Sequence, residues 1–205
     1  MKYIVAFILG TSLIIACRQK QAHTDDTETA ITQNHVLPEL QGWNTELIPF
    51  PIDFAPGIPF AGTEELRFAP GWGDTTSVEH WSYCFLWYVN ADASLDAASL
   101  KSYLEEYYNG LVKRNIEPRN IPASVVIPTV AHVAETNDPE KPYAVTIEML
   151  DYHRQKPMTL NVDVAVKLCK GNGKKGIFLS VSPQPHTHPI WNDFKGIWDG
   201  FQCGK

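Results

Sequence analysis

The chain has 205 residues, of which 23 are acidic and 17 basic, giving a formal charge of −6 at neutral pH. That acidic surplus argues against nucleic acid as a partner, because binding there relies on Lys and Arg neutralising phosphates. No internal repeat, collagen-like triplet or heptad pattern is present, which leaves an ordinary globular domain as the expected class.

The N-terminus opens with Lys2 and an apolar run that closes as Leu13-Ile14-Ile15-Ala16-Cys17. Spanning a bilayer takes roughly 20 apolar residues, and this run stops at Arg18-Gln19-Lys20, so a membrane-spanning helix is disfavoured. Ile14, Ala16 and Cys17 stand where a lipobox carries its aliphatic, small and cysteine residues, and the segment resembles the type II signal peptide of bacterial lipoproteins. The resemblance implies diacylglycerol on the Cys17 thiol, cleavage before Cys17 and acylation of the freed amine. Membrane lipid is then the first expected partner, each buried methylene contributing about 0.8 kcal/mol. Arg18, where the sorting rule of enteric bacteria reads Asp as an inner-membrane signal, implies the outer membrane, facing the periplasm. Residues 1–16 are accordingly expected to be a signal peptide. Residues 17–42, polar and without periodicity, read as a lipidated tether. Aromatic density rises at Trp43, making 43–205 one expected domain.

Within 43–59, Pro49, Pro51, Pro56 and Pro59 each lack a backbone donor, so this stretch is expected to cover a sheet edge or cross a face. A short strand is predicted at 65–68, followed by the turn Pro70-Gly71-Trp72-Gly73-Asp74. Over 81–89, Trp81, Tyr83, Phe85, Trp87 and Val89 alternate with Ser82, Cys84, Leu86 and Tyr88, predicting a central strand with both faces covered. Ser94 and Asp96 offer capping oxygen and favourable charge at the start of a helix over 95–114. Its Leu100, Tyr103, Leu104, Tyr107, Tyr108 and Leu111 recur at spacings of three and four, the pattern of core packing more than of a ligand surface. Four strands are predicted next, at 125–134, 143–151, 160–169 and 176–181, with Pro128 marking the first as an edge or a bulge. Lys170-Gly171-Asn172-Gly173-Lys174 closes a hairpin. Pro189 starts a last helix with Ile190, Phe194, Ile197, Trp198 and Phe201 on one stripe. The sum is an α+β domain with a mainly antiparallel sheet of about six strands, one long helix and a C-terminal helix.

With Cys17 lipidated, three cysteines remain. Three buried thiols are one outcome; the other is a bond from Cys203 to Cys169 or Cys84, of which Cys169–Cys203 is preferred. No CxxC spacing points to a zinc knuckle. No nucleophile elbow, HExxH, P-loop or dinucleotide fingerprint is found. Glu64 and Glu65 are adjacent, so on a strand they point to opposite faces and cannot act as a proximal acid–base pair; one exposed and one salt-bridged carboxylate is the expectation. His186 and His188, two apart in an extended segment, are the candidate metal ligands, with His132, His153, Asp151 and Asp193 as candidate third ligands for a divalent ion. Two readings follow. The first is a noncatalytic, membrane-anchored lipoprotein that binds a periplasmic protein or small ligand through Trp43, Trp72 and the Pro-rich segment, with no cofactor. The second is a metal-assisted hydrolase using His186 and His188.

Overall fold

The computed structural model describes residues 36–204; Cys17, the lipobox and most of the expected tether lie outside the described residues. Seven antiparallel strands form one sheet: β1 (Asn44–Pro49), β2 (Gly62–Phe68), β3 (Tyr83–Asn90), β4 (Val130–Glu135), β5 (Tyr143–Asp151), β6 (Lys156–Cys169) and β7 (Lys174–Ser182), in the spatial order β1-β2-β3-β7-β6-β5-β4. Two helices complete the α+β domain, α1 (Ala97–Ile116) and α2 (Ile190–Asp199). Among the described residues no helix is long and apolar enough to cross a membrane.

The chain order explains the topology. Three strands form a meander, α1 then carries the chain across one face to the far edge, and four further strands return as hairpins until β7 pairs with β3. Because side chains alternate across each strand, β3 contributes Tyr83, Phe85, Trp87 and Val89 to the core beneath α1, and Cys84 and Leu86 to a second core beneath α2. Both sets are almost wholly buried, as expected for a strand between two covered faces. Burying a large apolar side chain is worth about 1.5–3 kcal/mol, so β3 is an energetic centre of the sheet.

The seventh strand is the addition to the predicted count. Asn44–Pro49 pairs with β2 at the sheet edge, where Pro49 loses no ladder partner on its open side. The rest of the Pro-rich stretch folds over the α1 face and buries Ile52, Ala55 and Ile58. Gly110 of α1 makes that approach feasible, since a Cβ there would stand 1.8 Å from the Phe54 carbonyl oxygen. The helix begins at Asp96, not Ser94: the Asp96 carboxylate accepts from the Ser99 amide, and the Ser99 hydroxyl answers on the Asp96 amide, a reciprocal capping box. Val125 falls in a 3₁₀ turn and Pro128 in the segment before β4, so the predicted strand at 125–134 begins only at Val130.

Two further features distinguish the α2 side. Cys169 and Cys203 form a disulfide, with a Cα–Cα distance of 5.4 Å, that fastens the segment after α2 to the end of β6 across 34 residues. A cross-link of that span stabilises by about 2–4 kcal/mol, chiefly through the unfolded chain. Cys84 stays a buried thiol, held neutral because burial raises its pKa. The folded unit also starts earlier than Trp43. Val36 and Leu37 already dock onto the sheet, their amides donating to the Glu65 carboxylate at 2.9 and 3.3 Å.

Candidate functional site

Strands β1 to β3 and α1 do not close completely over one another. Between them lies an aromatic-walled cavity of about 100 Å³, formed by Phe54, Phe68, Trp72, Trp81, Tyr83, Tyr107 and Tyr152 together with Ile48, Leu66 and Leu111. An engineered apolar cavity of about 150 Å³ holds benzene, so this one suits a single small ring or a short branched alkyl group. Its charged lining residues are Glu46 and Arg114. Arg114 lies over the Phe54 ring, 5.0 Å from its centroid, and reaches Asp53 at 3.4 Å; about half of its side chain is exposed. The arrangement offers an apolar interior with charges of both signs beside it.

Each wall has a local cause. Tyr107 and Leu111 belong to the stripe of α1 that also packs the core, so one helical face serves both purposes. Trp72 comes from the Pro70-Gly71 turn and lies against Phe68, with ring centroids 4.8 Å apart. Trp81 precedes β3 with φ near 60°, a conformation that is strained for a bulky residue. Its indole Nε1 donates to Asp151 Oδ1 at 3.0 Å, and its amide donates to the Trp72 carbonyl at 3.1 Å. Two bonds therefore hold a backbone geometry that local preference opposes.

Beneath the aromatic wall, Glu64 is completely buried. Tyr107 donates to its carboxyl at 2.6 Å and Trp87 at 3.2 Å. Burial outweighs these donors and pushes the carboxyl up to about 8, with Glu46 adding in the same direction, so Glu64 is mainly protonated at neutral pH. The expectation of one exposed and one paired carboxylate therefore fails for Glu64. Its neighbour Glu65 faces the α2 side and is buried as well, paired with Arg67.

A histidine cluster borders the same aromatics. His80 Nδ1 lies 3.1 Å from the Trp72 carbonyl, and its Nε2 lies 3.1 Å from Asp151 Oδ2. Asp151 ends β5 and organises its own turn, Oδ1 accepting from the amides of His153 and Arg154 at 2.8 and 3.1 Å. These bonds hold its carboxyl below the usual range against the opposing effect of burial. The His153 ring packs among Trp72, Trp81 and Tyr152, with its centroid 4.6–5.6 Å from theirs. Burial, the leading cause, brings its pKa down to about 4, so the ring is neutral at neutral pH. Two polar atoms here, Trp72 Nε1 and His153 Nδ1, are buried without a hydrogen-bond partner.

The residues singled out from sequence are distributed differently. Trp72 lines the cavity, whereas Trp43 packs edge-on against Phe194 on the opposite face of the sheet, so the two share no surface. His188 Nδ1 accepts from the Ile190 amide at 3.2 Å and serves the start of α2. His186 stacks on Trp191 and places Nε2 3.0 Å from Asp163 Oδ1. His132 lines the same open groove as His186 but pairs loosely with Glu148, at 3.9 Å, and Asp193 lies in the first turn of α2. Among the described residues, His80, Asp151 and His153 are the group that brings three metal-ligating atoms together, all within 4.8 Å of one another. Two of them were candidates on sequence grounds. His80 carried no signal, because its partner lies 71 residues away and only sheet pairing joins them. Comparison with protein-family models, with curated proteins and with solved structures finds no match.

Proposed function

We propose that this chain is a lipid-anchored protein of the bacterial cell envelope, outer membrane facing the periplasm, whose α+β domain is a noncatalytic binding module for a small amphipathic molecule. The observation that carries the ligand reading is the aromatic cavity. Its walls are mainly aromatic and aliphatic and its charged residues are Glu46 and Arg114, so the ligand class is a small ring or branched alkyl bearing a charged or zwitterionic group. The lipid anchor rests on the lipobox resemblance at Cys17. Val36, the first described residue, packs on the α2 face, whereas the cavity belongs to the α1 face.

The anchor and the cavity have separate tests. A Cys17→Ser substitution is expected to abolish acylation and move the protein from the detergent phase to the aqueous phase on phase partitioning; continued acylation overturns the localisation. With that unacylated protein, small aromatic carboxylates and aromatic amines are expected to change Trp72 and Trp81 fluorescence saturably. Leu111→Phe, which occupies part of the cavity, is expected to remove that response while leaving the circular dichroism unchanged. A saturable response of equal affinity in Leu111→Phe would place the ligand elsewhere.

A further inference from the structure

We propose that His80, Asp151 and His153 bind one divalent transition-metal ion of the zinc type, stapling the connection between β2 and β3 to the turn between β5 and β6. Nothing in this proposal depends on the ligand assigned to the cavity. The donor set is two imidazoles and one carboxylate, the chemistry that zinc accepts, with a fourth position left for water.

The local hydrogen bonds prepare each donor. His80 Nδ1 faces the Trp72 carbonyl, which only accepts, so Nδ1 carries a hydrogen and Nε2 is the atom turned to Asp151. A backbone carbonyl that fixes the imidazole in this way is the usual outer support of a metal-bound histidine. Asp151 is divided in function: Oδ1 is occupied by Trp81 Nε1 and two turn amides, while Oδ2 points to His80. Metal–ligand bonds of about 2.0–2.1 Å put tetrahedral ligand atoms about 3.4 Å apart. The 3.1 Å between Nε2 and Oδ2 is already close to that spacing.

His153 supplies the third donor. Its Nδ1 is buried without a partner, an arrangement that is costly unless a ligand or ion satisfies it. Each of the three residues offers a ligand atom, all within 4.8 Å of one another, and turning His153 Nδ1 to the ion breaks no hydrogen bond. The ion takes the place of any proton held between Nε2 and Oδ2, which leaves to solvent. Two cations oppose it: Arg119, which lies over the Tyr152 ring and acts on His153, and Arg154, whose guanidinium is 3.9 Å from Oδ2 although it is also held by the Thr75 carbonyl. The staple joins two segments that meet at the strained Trp81, and so fixes the wall formed by Trp72, Trp81 and Tyr152.

The test is zinc and cobalt(II) titration of the full-length chain in lipid nanodiscs, with no histidine tag on either protein, followed by calorimetry, cobalt absorption and thermal melting. The expected result is one ion per chain, a tetrahedral cobalt spectrum and a melting temperature that rises with metal. His153→Phe preserves the ring packing and removes only the donor; it is expected to weaken binding on the order of a hundredfold or more while melting like the metal-free parent. A His186→Ala, His188→Ala double variant is expected to bind as the parent does. Absence of stoichiometric binding overturns the proposal, as does binding that survives His153→Phe or disappears in the His186, His188 double variant.

Discussion

Arg67→Ala is expected to destabilise the domain by about 3–5 kcal/mol, because it breaks a buried ion pair with Glu65 and strips three buried carbonyls of their guanidinium donor. Arg67 lies on β2 facing the α2 side and is wholly buried. Its Nε donates to the Pro38 carbonyl at 3.0 Å, one terminal nitrogen donates to Leu66 at 2.8 Å, and the other serves both Leu37, at 2.8 Å, and the Glu65 carboxylate. Glu65 in turn accepts the amides of Val36 and Leu37. The pair therefore clamps residues 36–38 to the sheet by both their carbonyls and their amides. Lys cannot substitute, since a single ammonium on a flexible stem does not reach several carbonyls in the directions of a planar guanidinium. Urea unfolding measures the loss, and at about 2–4 °C per kcal/mol for a domain of this size the melting temperature should fall by roughly 6–20 °C. Limited proteolysis supplies the local readout, with earlier cleavage near residues 36–40 in Arg67→Ala and in Arg67→Lys. A Glu65→Gln, Arg67→Met double variant should cost less than the sum of its single changes. A loss below about 1 kcal/mol in Arg67→Ala would mean the clamp is not a principal fastening.

That clamp also shows where sequence reading ends. Strand alternation identified the two faces of β3, and helical spacing identified the buried stripe of α1, because both patterns are local and repeat along the chain. The hairpin after Cys169 was legible from its glycines and asparagine for the same reason. Glu64, Glu65 and Arg67 broke the pattern: the adjacent carboxylates were expected to be one exposed and one salt-bridged, yet both, and Arg67, are buried. What buries them is distant in sequence, α1 and Trp87 on one side and residues 36–38 on the other. The cavity was hidden in a similar way. An aromatic stripe with core spacing carries no mark of incomplete closure, which depends on how Phe54, Trp72 and Tyr152 arrive from three separate loops. The Pro70-Gly71-Trp72 turn and the dense aromatics after it were the nearest available signal. His186 and His188 attracted attention through their spacing alone, but residues after β7 are directed by the start of α2, and His188 faces an amide there.

Stability should decline with alkalinity through Glu64, and Glu64→Gln should remove that decline. Burial is the main cause of the raised carboxyl pKa, about 8 in the folded state against 4.5 as the ordinary value; the donors Tyr107 and Trp87 oppose it and Glu46 reinforces it. A group with a raised folded pKa binds more proton in the folded state than in the unfolded one over the interval between the two values. The stabilisation is therefore fully present below about pH 4.5 and is lost as pH rises through about 8. At about 1.4 kcal/mol per unit, the whole interval corresponds to a loss on the order of a few kcal/mol. His153, with its folded pKa lowered to about 4, gives the opposite slope below its ordinary value of 6.5, so the range above that value is clear of it, and Cys84, raised by burial from an ordinary 9.0, is common to parent and variant. Thermal or urea unfolding from pH 6.5 to 9 should show the parent losing stability relative to Glu64→Gln, whose neutral amide retains an acceptor for Trp87 and a partner for Tyr107. Parallel curves would sink the assignment. Since Tyr107 is also a wall of the cavity, ionising Glu64 places a buried charge directly behind the ligand space. The affinity of the proposed ligand's apolar group should then fall over the same alkaline range in the parent and stay level in Glu64→Gln, which would tie the buried acid to the proposed binding through one hydrogen bond.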